Sequence, residues 1–136
     1  MATEARVAIH SPSDIVTARQ QGRALATQAG FEGMDLTVVA TAISEVARNI
    51  IEYAHSGEIM IQVVHNGSYS GVMVVATDEG PGISDIEQAM LDGYSTGKGL
   101  GIGLPGAKRL MDDFELRSTL GRGTTVIMRK WLRAAE

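Results

Sequence analysis

The sequence has 136 residues, which predicts a single domain (residues 1–136) that is long enough to bury a real core. Hydrophobic residues make up 44% of the chain and charged residues 21%, a composition typical of soluble globular proteins and not of disordered or fibrous ones. The lack of Cys excludes a disulfide scaffold, a thiolate metal site and a Cys nucleophile. The three His are scattered without the spacing of paired ligands, so neither a zinc nor a haem site is expected.

The formal net charge of −4 combines an acidic part and a basic part. Residues 1–97 hold 4 Lys/Arg and 12 Asp/Glu, whereas residues 98–136 hold 8 and 4. An acidic chain without a basic stripe interleaved with aromatic residues argues against nucleic acid as a partner. The basic final part could serve a small anion such as a nucleotide phosphate, or could be uneven charge scatter over a solvated surface.

No segment is typical of a membrane or secreted protein. The longest apolar run, Val72–Ala76, is far too short to span a bilayer. The N-terminal residues lack the basic-then-apolar pattern of a signal peptide. We therefore expect a cytoplasmic protein that does not contact a membrane.

The chain begins with a predicted strand and helix. Loose alternation of apolar and polar residues over Glu4–His10 favours a strand. Ser11 and Pro12, followed by Asp14, are typical of a helix start, because they supply a cap, a rigid first turn and an acid at the positive helix end. This helix is expected to end before Gly30.

A second helix and a hairpin follow. The helix is expected over Asp35–Ala54, since its apolar residues recur with the spacing of one buried stripe. That stripe consists of Val39, Ala42, Ile43, Val46, Ala47 and Ile50. The β-branched runs Glu58–Val64 and Val72–Thr77 predict two strands, joined by a polar loop over His65–Gly71.

The remaining pattern predicts two helices and a closing hairpin. A turn at Asp78–Gly82 precedes a short helix over about Ser84–Met90, and a further helix is expected over Leu104–Met111. Phe114–Thr119 and Thr124–Trp131 favour two strands. The order β-α-α-β-β-α-α-β-β predicts an α+β fold, a two-layer α/β sandwich in which helices cover one face of a mixed, mostly antiparallel sheet.

Glycines are crowded between the turn and the last helix. Half of the 16 glycines fall within residues 80–106. Since glycine carries an entropic cost, this crowding favours a loop whose backbone N–H groups approach a bulky anion. A flexible surface loop is the alternative, although Gly99-Leu-Gly-Ile-Gly103 interleaves with apolar residues and runs directly into a helix.

Two familiar phosphate-binding motifs almost match and are excluded. Residues 101–106 read G-x-G-x-x-G, but a dinucleotide fingerprint needs a buried strand immediately before it, and Tyr94–Gly99 cannot form one. Residues 93–98 resemble a P-loop, yet they are one residue short and Lys98 is followed by Gly. The length and the absence of H-R-D and D-F-G also exclude a eukaryote-type protein kinase.

Glu45 and Asn49 lie one turn apart on the second predicted helix, so their side chains share a face. A carboxylate and a carboxamide beside a phosphate loop suit Mg²⁺ coordination and activation of a water or hydroxyl. The alternative is the polar shoulder of an amphipathic helix, with Glu45 and Arg48 simply solvated.

Asp78 ends a strongly apolar strand, where a carboxylate is costly unless something binds it. An exocyclic amine, such as that of adenine, is a suitable donor. The alternative is a turn-forming Asp whose side chain bonds its own backbone.

The ordered set of motifs is more specific than any one of them. E-x-x-x-N, D-x-G-x-G and G-x-G-x-G follow one another, and Gly123-Thr-Thr125 comes late in the chain. This order resembles the Bergerat ATP-binding fold of the GHKL superfamily, which includes gyrase, Hsp90, histidine kinases and MutL. Within it, Ala42–Asn49, Asp92–Thr96 and Gly101–Asp112 resemble the small bacterial serine/threonine kinases, especially the switch kinases of the stressosome.

The resemblance implies a role for each matching residue. Glu45 would be the catalytic base, Asn49 would hold Mg²⁺ against the phosphates of ATP, and Asp78 would bind the adenine amino group. The other residues implied in ATP binding are Gly80, Gly82, Ile83, Lys98, Gly99, Leu100, Gly101, Ile102, Gly103, Leu104, Thr124 and Thr125. Gly93–Lys98 would be a lid over the nucleotide.

The resemblance also implies partners. The substrates would be Ser or Thr residues of STAS-domain antagonists or stressosome scaffold proteins, and the released kinase would activate a PP2C-type phosphatase in a stress-signalling cascade. An alternative is an anti-sigma factor kinase that sequesters a sigma factor. A degraded ATPase used only as a scaffold is a third alternative, but all pocket positions are chemically intact.

Overall fold

The computed structural model describes residues 2–82 and 103–132. The elements are β1 Glu4–Ile9, α1 Pro12–Ala29, α2 Met34–Ala54, β2 Gly57–Asn66, β3 Tyr69–Asp78, α3 Gly103–Leu110, β4 Asp113–Thr119 and β5 Gly123–Leu132. The short helix expected over Ser84–Met90 lies outside the described residues.

The strands form one sheet in the order β1-β2-β3-β5-β4, and each neighbouring pair is antiparallel. The predicted α+β fold is confirmed; over residues 2–82 and 103–132 the sheet is wholly antiparallel rather than mixed. Because β3 pairs with β5 and Thr77 faces Thr125, the end of β3 lies beside the start of β5. This pairing brings the D-x-G-x-G motif that begins at Asp78 next to the late motif Gly123-Thr-Thr125.

Helices cover one face of the sheet. Along β3, Val72, Val74 and Ala76 are buried, and the residues between them are more exposed, as expected when one face of a strand packs on a core. Helices α1 and α2 contact β1, β2 and β3. The whole predicted stripe of α2 is buried, and each large aliphatic side chain in it contributes about 1.5–3 kcal/mol. These residues are Val39, Ala42, Ile43, Val46, Ala47 and Ile50.

Helix α1 begins as the sequence predicts, with Ser11 as its N-cap and Pro12 in its first turn. The Asp14 carboxylate accepts hydrogen bonds from the backbone N–H groups of His10 at 2.8 Å and Ser11 at 3.1 Å. These bonds, that from His10 above all, lower the pKa of Asp14 because they favour its ionised form. The helix ends at Gly30, whose left-handed conformation (φ 109°) closes the last turn.

The β2–β3 hairpin is tighter than predicted. In place of a polar loop over residues 65–71, β2 continues to Asn66 and β3 starts at Tyr69. The turn is reduced to Gly67 and Ser68, and Gly67 has the positive φ (63°) that the first position of a type II′ turn requires. Polar residues extend the ladder because its hydrogen bonds come from the backbone. None of the helices in the described part of the chain has the length and hydropathy needed to span a bilayer.

Candidate active site

Glu45 is buried near the middle of α2, with its side chain only 8% exposed. A buried carboxylate requires hydrogen-bonding or charged partners, because removing it from water is costly. The interpretation of Glu45 as a solvated shoulder residue is therefore wrong. Its two oxygens have different partners, one from the backbone and one from a side chain.

The backbone partner of Glu45 is Gly103, the first residue of α3. The N–H of Gly103 donates to Glu45 Oε1 at 2.9 Å. Gly103 has a φ of 69°, a conformation that costs a residue with a side chain about 1–2 kcal/mol. This hydrogen bond connects the carboxylate expected to act as a base to the segment expected to bind phosphates.

The side-chain partner of Glu45 is Arg48. Its Nη1 lies 2.7 Å from Glu45 Oε2, and the Arg48 side chain is 40% exposed. Arg48 is therefore not simply solvated, and its spacing of three residues from Glu45 is the sequence signal of a helical ion pair. Asn49, the next residue, is half-buried on the same helix.

Asp78 is buried at the end of β3 and organises the chain around it. Its Oδ1 accepts hydrogen bonds from the N–H groups of Gly80 at 2.9 Å and of Thr124 at 3.2 Å. The first bond is the turn interaction that the sequence left open as the alternative. The second joins β3 to the start of β5, so Asp78 does more than shape its own turn.

Small residues allow the backbone to approach closely around Asp78. A Cβ at Gly80 would lie 2.5 Å from the Cβ of Ala54, and a Cβ at Gly82 would lie 2.5 Å from the carbonyl oxygen of Thr119. Gly123 has a φ of 117°, and a Cβ there would overlap the carbonyl oxygen of Asp78. Substitution at any of these positions would push apart the end of β3 and its neighbours.

Thr124 is buried beside Asp78, and its hydroxyl lies 2.9 Å from that of Ser118 on β4. Ser118 Oγ also donates to the carbonyl oxygen of Gly123 at 3.2 Å. Ser118 was not among the predicted site residues; in the β4–β5 ladder it pairs with Thr124. Thr125 is half-buried and pairs with Thr77 in the ladder.

The predicted site residues that the structure describes fall into two groups. Glu45 contacts the start of α3, where Gly103 is half-buried and Leu104 is buried. Asp78 contacts Gly80 and Thr124. Asn49 lies one turn from Glu45 on α2, Gly82 approaches Thr119 of β4, and Thr125 follows Thr124 on β5. The lid predicted at Gly93–Lys98 lies outside the described residues, as do the predicted site residues Ile83, Lys98, Gly99, Leu100, Gly101 and Ile102.

Residues 2–82 and 103–132 contain no group of three or more His, Asp or Glu that could hold a metal ion.

Comparison with known proteins identifies the family. Residues 10–130 match the histidine kinase-like ATPase domain, and the chain belongs to this family. It is 51% identical over 127 residues to the serine/threonine-protein kinase RsbT of Bacillus subtilis (strain 168), covering 93% of this chain and 96% of that protein. It is 34% identical over 108 residues to the anti-sigma F factor of Pasteuria penetrans, covering 75% of this chain and 72% of that protein.

A solved structure supports the fold. The RsbU and RsbW domains of a Mycobacterium tuberculosis protein superpose with a TM-score of 0.64 at 20% identity. The match covers 99% of this chain and 34% of the crystallised chain, so this chain spans about a third of that crystallised chain. The family match and the 51% identity to RsbT confirm the predicted resemblance to the GHKL superfamily. The chain is a protein serine/threonine kinase with a histidine kinase-like ATPase domain.

Proposed function

We propose that Glu45 is the general base of this kinase and that the start of α3 binds the phosphates of ATP. The observation that carries the proposal is the 2.9 Å hydrogen bond from the Gly103 N–H to Glu45 Oε1. It joins a buried carboxylate to a helix start across 58 residues of sequence. Backbone N–H groups at a helix start favour anions, and a base must lie next to the phosphoryl group being transferred.

The proposed reaction is a direct transfer. The hydroxyl oxygen of a Ser or Thr in the acceptor protein forms a bond to the γ-phosphorus of ATP, while the bond from that phosphorus to the β,γ-bridging oxygen breaks. ADP leaves with the bond's electron pair, and the hydroxyl proton passes to the Glu45 carboxylate. Such transfers depend on positioning and on stabilisation of charge. The two hydrogen bonds to the Glu45 carboxylate would position the base, and the backbone N–H groups at the start of α3 would stabilise the phosphate charge.

Asn49 is the residue that we assign to Mg²⁺. Its side-chain oxygen is one turn from Glu45 and half-buried, and oxygen donors are what Mg²⁺ prefers. When bound with the nucleotide, the ion supplies neutralisation of phosphate charge. The role of Asn49 would be to set the position of the phosphates relative to Glu45.

Asp78 is the residue that we assign to adenine. Its Oδ1 is bonded to Gly80 and Thr124, which holds the carboxylate in one orientation. The other oxygen, Oδ2, would accept a hydrogen bond from the exocyclic amine. Gly82, Thr124 and Thr125 would complete the pocket, with the buried Thr124 hydroxyl already oriented by Ser118.

We further propose that the acceptors are STAS-domain antagonists and stressosome scaffold proteins, and that the released kinase activates a PP2C-type phosphatase in the cytoplasm. The 51% identity to RsbT over most of both chains supports this assignment. Identity of this extent includes the surface as well as the core, so relatives this similar commonly share the class of partner.

The test is a transfer assay with radiolabelled ATP and Mg²⁺, using purified STAS-domain proteins from the source organism as acceptors. Wild-type protein is expected to label a Ser or Thr of the acceptor. Glu45→Gln is expected to lower the rate of phosphoryl transfer by roughly 10²–10⁴-fold, the usual contribution of a general base, and still to bind nucleotide. Gln keeps an oxygen for the Gly103 N–H but turns its NH₂ group toward the Arg48 guanidinium, so thermal unfolding of Glu45→Gln is measured to confirm that the variant is folded. Equal rates would remove Glu45 from the mechanism.

The alternative function is sequestration of a sigma factor, which the 34% identity to an anti-sigma F factor favours. The same preparation can be immobilised and exposed to purified sigma factors with MgADP or MgATP. Nucleotide-dependent capture of a sigma factor without labelling of any STAS-domain protein would support the alternative and contradict the stressosome assignment.

A further inference from the structure

Arg48 holds one oxygen of the buried Glu45 carboxylate from the solvent side. The pair is short, at 2.7 Å between Arg48 Nη1 and Glu45 Oε2, and its two members differ in exposure: 40% for the Arg48 side chain against 8% for Glu45. A charge-assisted hydrogen bond with one buried partner is oriented more strictly than an exposed ion pair. Arg48 is therefore placed to control where the carboxylate lies.

The two oxygens of Glu45 are bound from opposite elements. Gly103 of α3 donates to Oε1 at 2.9 Å, and Arg48 of α2 donates to Oε2. Gly103 alone leaves the carboxylate free to rotate about that single hydrogen bond. A second donor at Oε2 fixes the carboxylate plane, and a carboxylate oxygen that already accepts one bond retains a lone pair for a proton.

The neighbours of Arg48 support a role directed at Glu45. Arg48 lines a surface cleft of about 420 Å³ between α1 and α2, together with the apolar Ile15 and Ile51 and the charged Arg19 and Glu52. Glu52 is exposed, whereas Glu45 is buried. The guanidinium nevertheless pairs with Glu45, whose charge has the greater need for a partner.

We infer that Arg48 is a positioning residue, which orients Glu45 for proton abstraction by holding Oε2 while Oε1 faces the acceptor hydroxyl. The inference rests on the proposed function of Glu45 as the base. It assigns to Arg48 no contact with nucleotide or acceptor. Loss of Arg48 would leave phosphate binding intact and misplace the base, which reduces the rate of transfer and not the affinity for nucleotide.

The experiment compares Arg48→Met with Arg48→Lys in the transfer assay, using a STAS-domain protein that wild type phosphorylates. Arg48→Met is expected to lower kcat by roughly 10- to 100-fold, as misplacement of a catalytic group does. The affinity for MgADP, measured by calorimetry, is expected to stay within about twofold, because a positioning residue does not contribute to ground-state binding. Arg48→Lys keeps the charge without the planar fork and is expected to restore part of kcat.

A double variant separates a positioning role from other roles. In Glu45→Gln/Arg48→Met, loss of Arg48 is expected to add nothing to the loss from Glu45→Gln, because residues that act as a unit are non-additive. Arg117→Met is the matched control, since it removes an Arg–Glu pair of the same length, 2.7 Å to Glu115, on exposed β4. Its kcat is expected to equal that of wild type.

Each other outcome overturns the inference. A positioning role would be contradicted if kcat were unchanged in Arg48→Met. It would also be contradicted if Arg48→Met lowered kcat by the same factor in the Glu45→Gln background as in wild type. A loss confined to MgADP affinity would contradict it too, and would assign Arg48 to the phosphates. Thermal unfolding of Arg48→Lys and Arg48→Met identifies any variant that is unfolded. If wild type transfers no phosphate, or Glu45→Gln transfers normally, the proposed function itself fails, and the inference with it.

Discussion

The carboxylate of Glu45 and the backbone N–H of Gly103 are joined by a 2.9 Å hydrogen bond, although 58 residues separate them in sequence. In this arrangement the Gly103 N–H donates to a protein carboxylate. A phosphate oxygen bound at the start of α3 would compete for the same donor. If the start of α3 binds phosphate as proposed, nucleotide binding and the position of Glu45 would be coupled through one backbone group.

Gly103→Ala tests this coupling. A φ of 69° is unfavourable for Ala, whereas among residues 2–82 and 103–132 the added Cβ would meet Pro105 Cδ at an ordinary 3.5 Å. The expected cost is therefore backbone strain of about 1–2 kcal/mol, and the N–H would turn away from its present direction. We expect the affinity for MgADP, measured by calorimetry, to fall by roughly 5- to 10-fold, or about 1–1.4 kcal/mol.

Gly67→Ala is the control for strain alone. Gly67 has a φ of 63° in the β2–β3 turn, and a Cβ there would meet no atom of the described part of the chain within 4 Å. We expect urea unfolding to show a similar loss of stability in both variants and calorimetry to show weaker nucleotide binding only in Gly103→Ala. Equal nucleotide affinities in the two variants would mean that Gly103 does not face the phosphates.

Asp78→Asn tests the adenine assignment. The side-chain oxygen of Asn can still accept from Gly80 and Thr124, which places its NH₂ group where Oδ2 was. Two donors, the amide and the adenine amine, would then face each other. We expect ATP affinity to fall by roughly 5- to 150-fold, the equivalent of about 1–3 kcal/mol for an unpaired polar group. Competition with a fluorescent ATP analogue measures it.

The matched control for Asp78→Asn is Glu79→Gln. It removes one negative charge from the adjacent, exposed residue and leaves the bonds of Asp78 in place. ATP affinity close to that of wild type is expected for this control. Equal losses in both variants would indicate a general effect of charge and move the adenine site away from Asp78.

The fold was largely readable from the sequence because its signals are local. The stripe of α2 has the period of a helix, and the start of α1 has its cap and Pro12 within a few residues. The hairpin loop over residues 65–71 was predicted too long, because polarity predicts exposure and not the end of backbone pairing. Gly67, inside this loop, is the residue type that indicates a two-residue hairpin turn.

The sequence predicted the residue types of the candidate site but not the contacts that these residues make. Glu45 and Asp78 stand out as carboxylates in apolar surroundings, but their partners come from elsewhere in the chain. Glu45 receives its backbone hydrogen bond from the start of α3. Asp78 reaches the N–H of Thr124 because β3 pairs with β5. Such pairings follow from tertiary packing, which no local pattern contains.

The packing of α1 on α2 gives a prediction about the core. A Cβ on Gly22 would overlap Cδ1 of the fully buried Ile43. Ile43→Val alone is expected to cost about 0.5–1.5 kcal/mol, because it removes a buried methyl group. In the Gly22→Ala background the same change removes the overlap, so we expect a smaller cost or a gain. Urea unfolding of the two single variants and the double variant measures the coupling.

An additive result would contradict this interpretation of the α1–α2 contact. The coupling is expected to be favourable by roughly 0.5 kcal/mol or more, as for residues in direct contact. Val39→Ala is the matched control, since Val39 is equally buried on α2 but is not among the atoms nearest to the Gly22 position. Its cost is expected to be the same with and without Gly22→Ala.

The start of α1 gives a prediction about pH. Hydrogen bonds from the N–H groups of His10 and Ser11 lower the pKa of Asp14 in the folded protein. The ionised carboxylate therefore stabilises the fold at any pH above its unfolded pKa of about 3.9, and this contribution is lost as the pH falls through the lower folded value. Asp14→Ala is expected to lower Tm at pH 7 and to match wild type under strongly acidic conditions.

Circular dichroism melts of wild type and Asp14→Ala across this range measure the effect, with Glu32→Ala as the control. Glu32 is exposed between α1 and α2, so its removal changes the net charge equally without removing a helix cap. Its Tm is expected to follow that of wild type at each pH. A difference between Asp14→Ala and wild type that is undiminished in strong acid would contradict the electrostatic origin, because the Asp14 carboxyl of wild type would then be neutral.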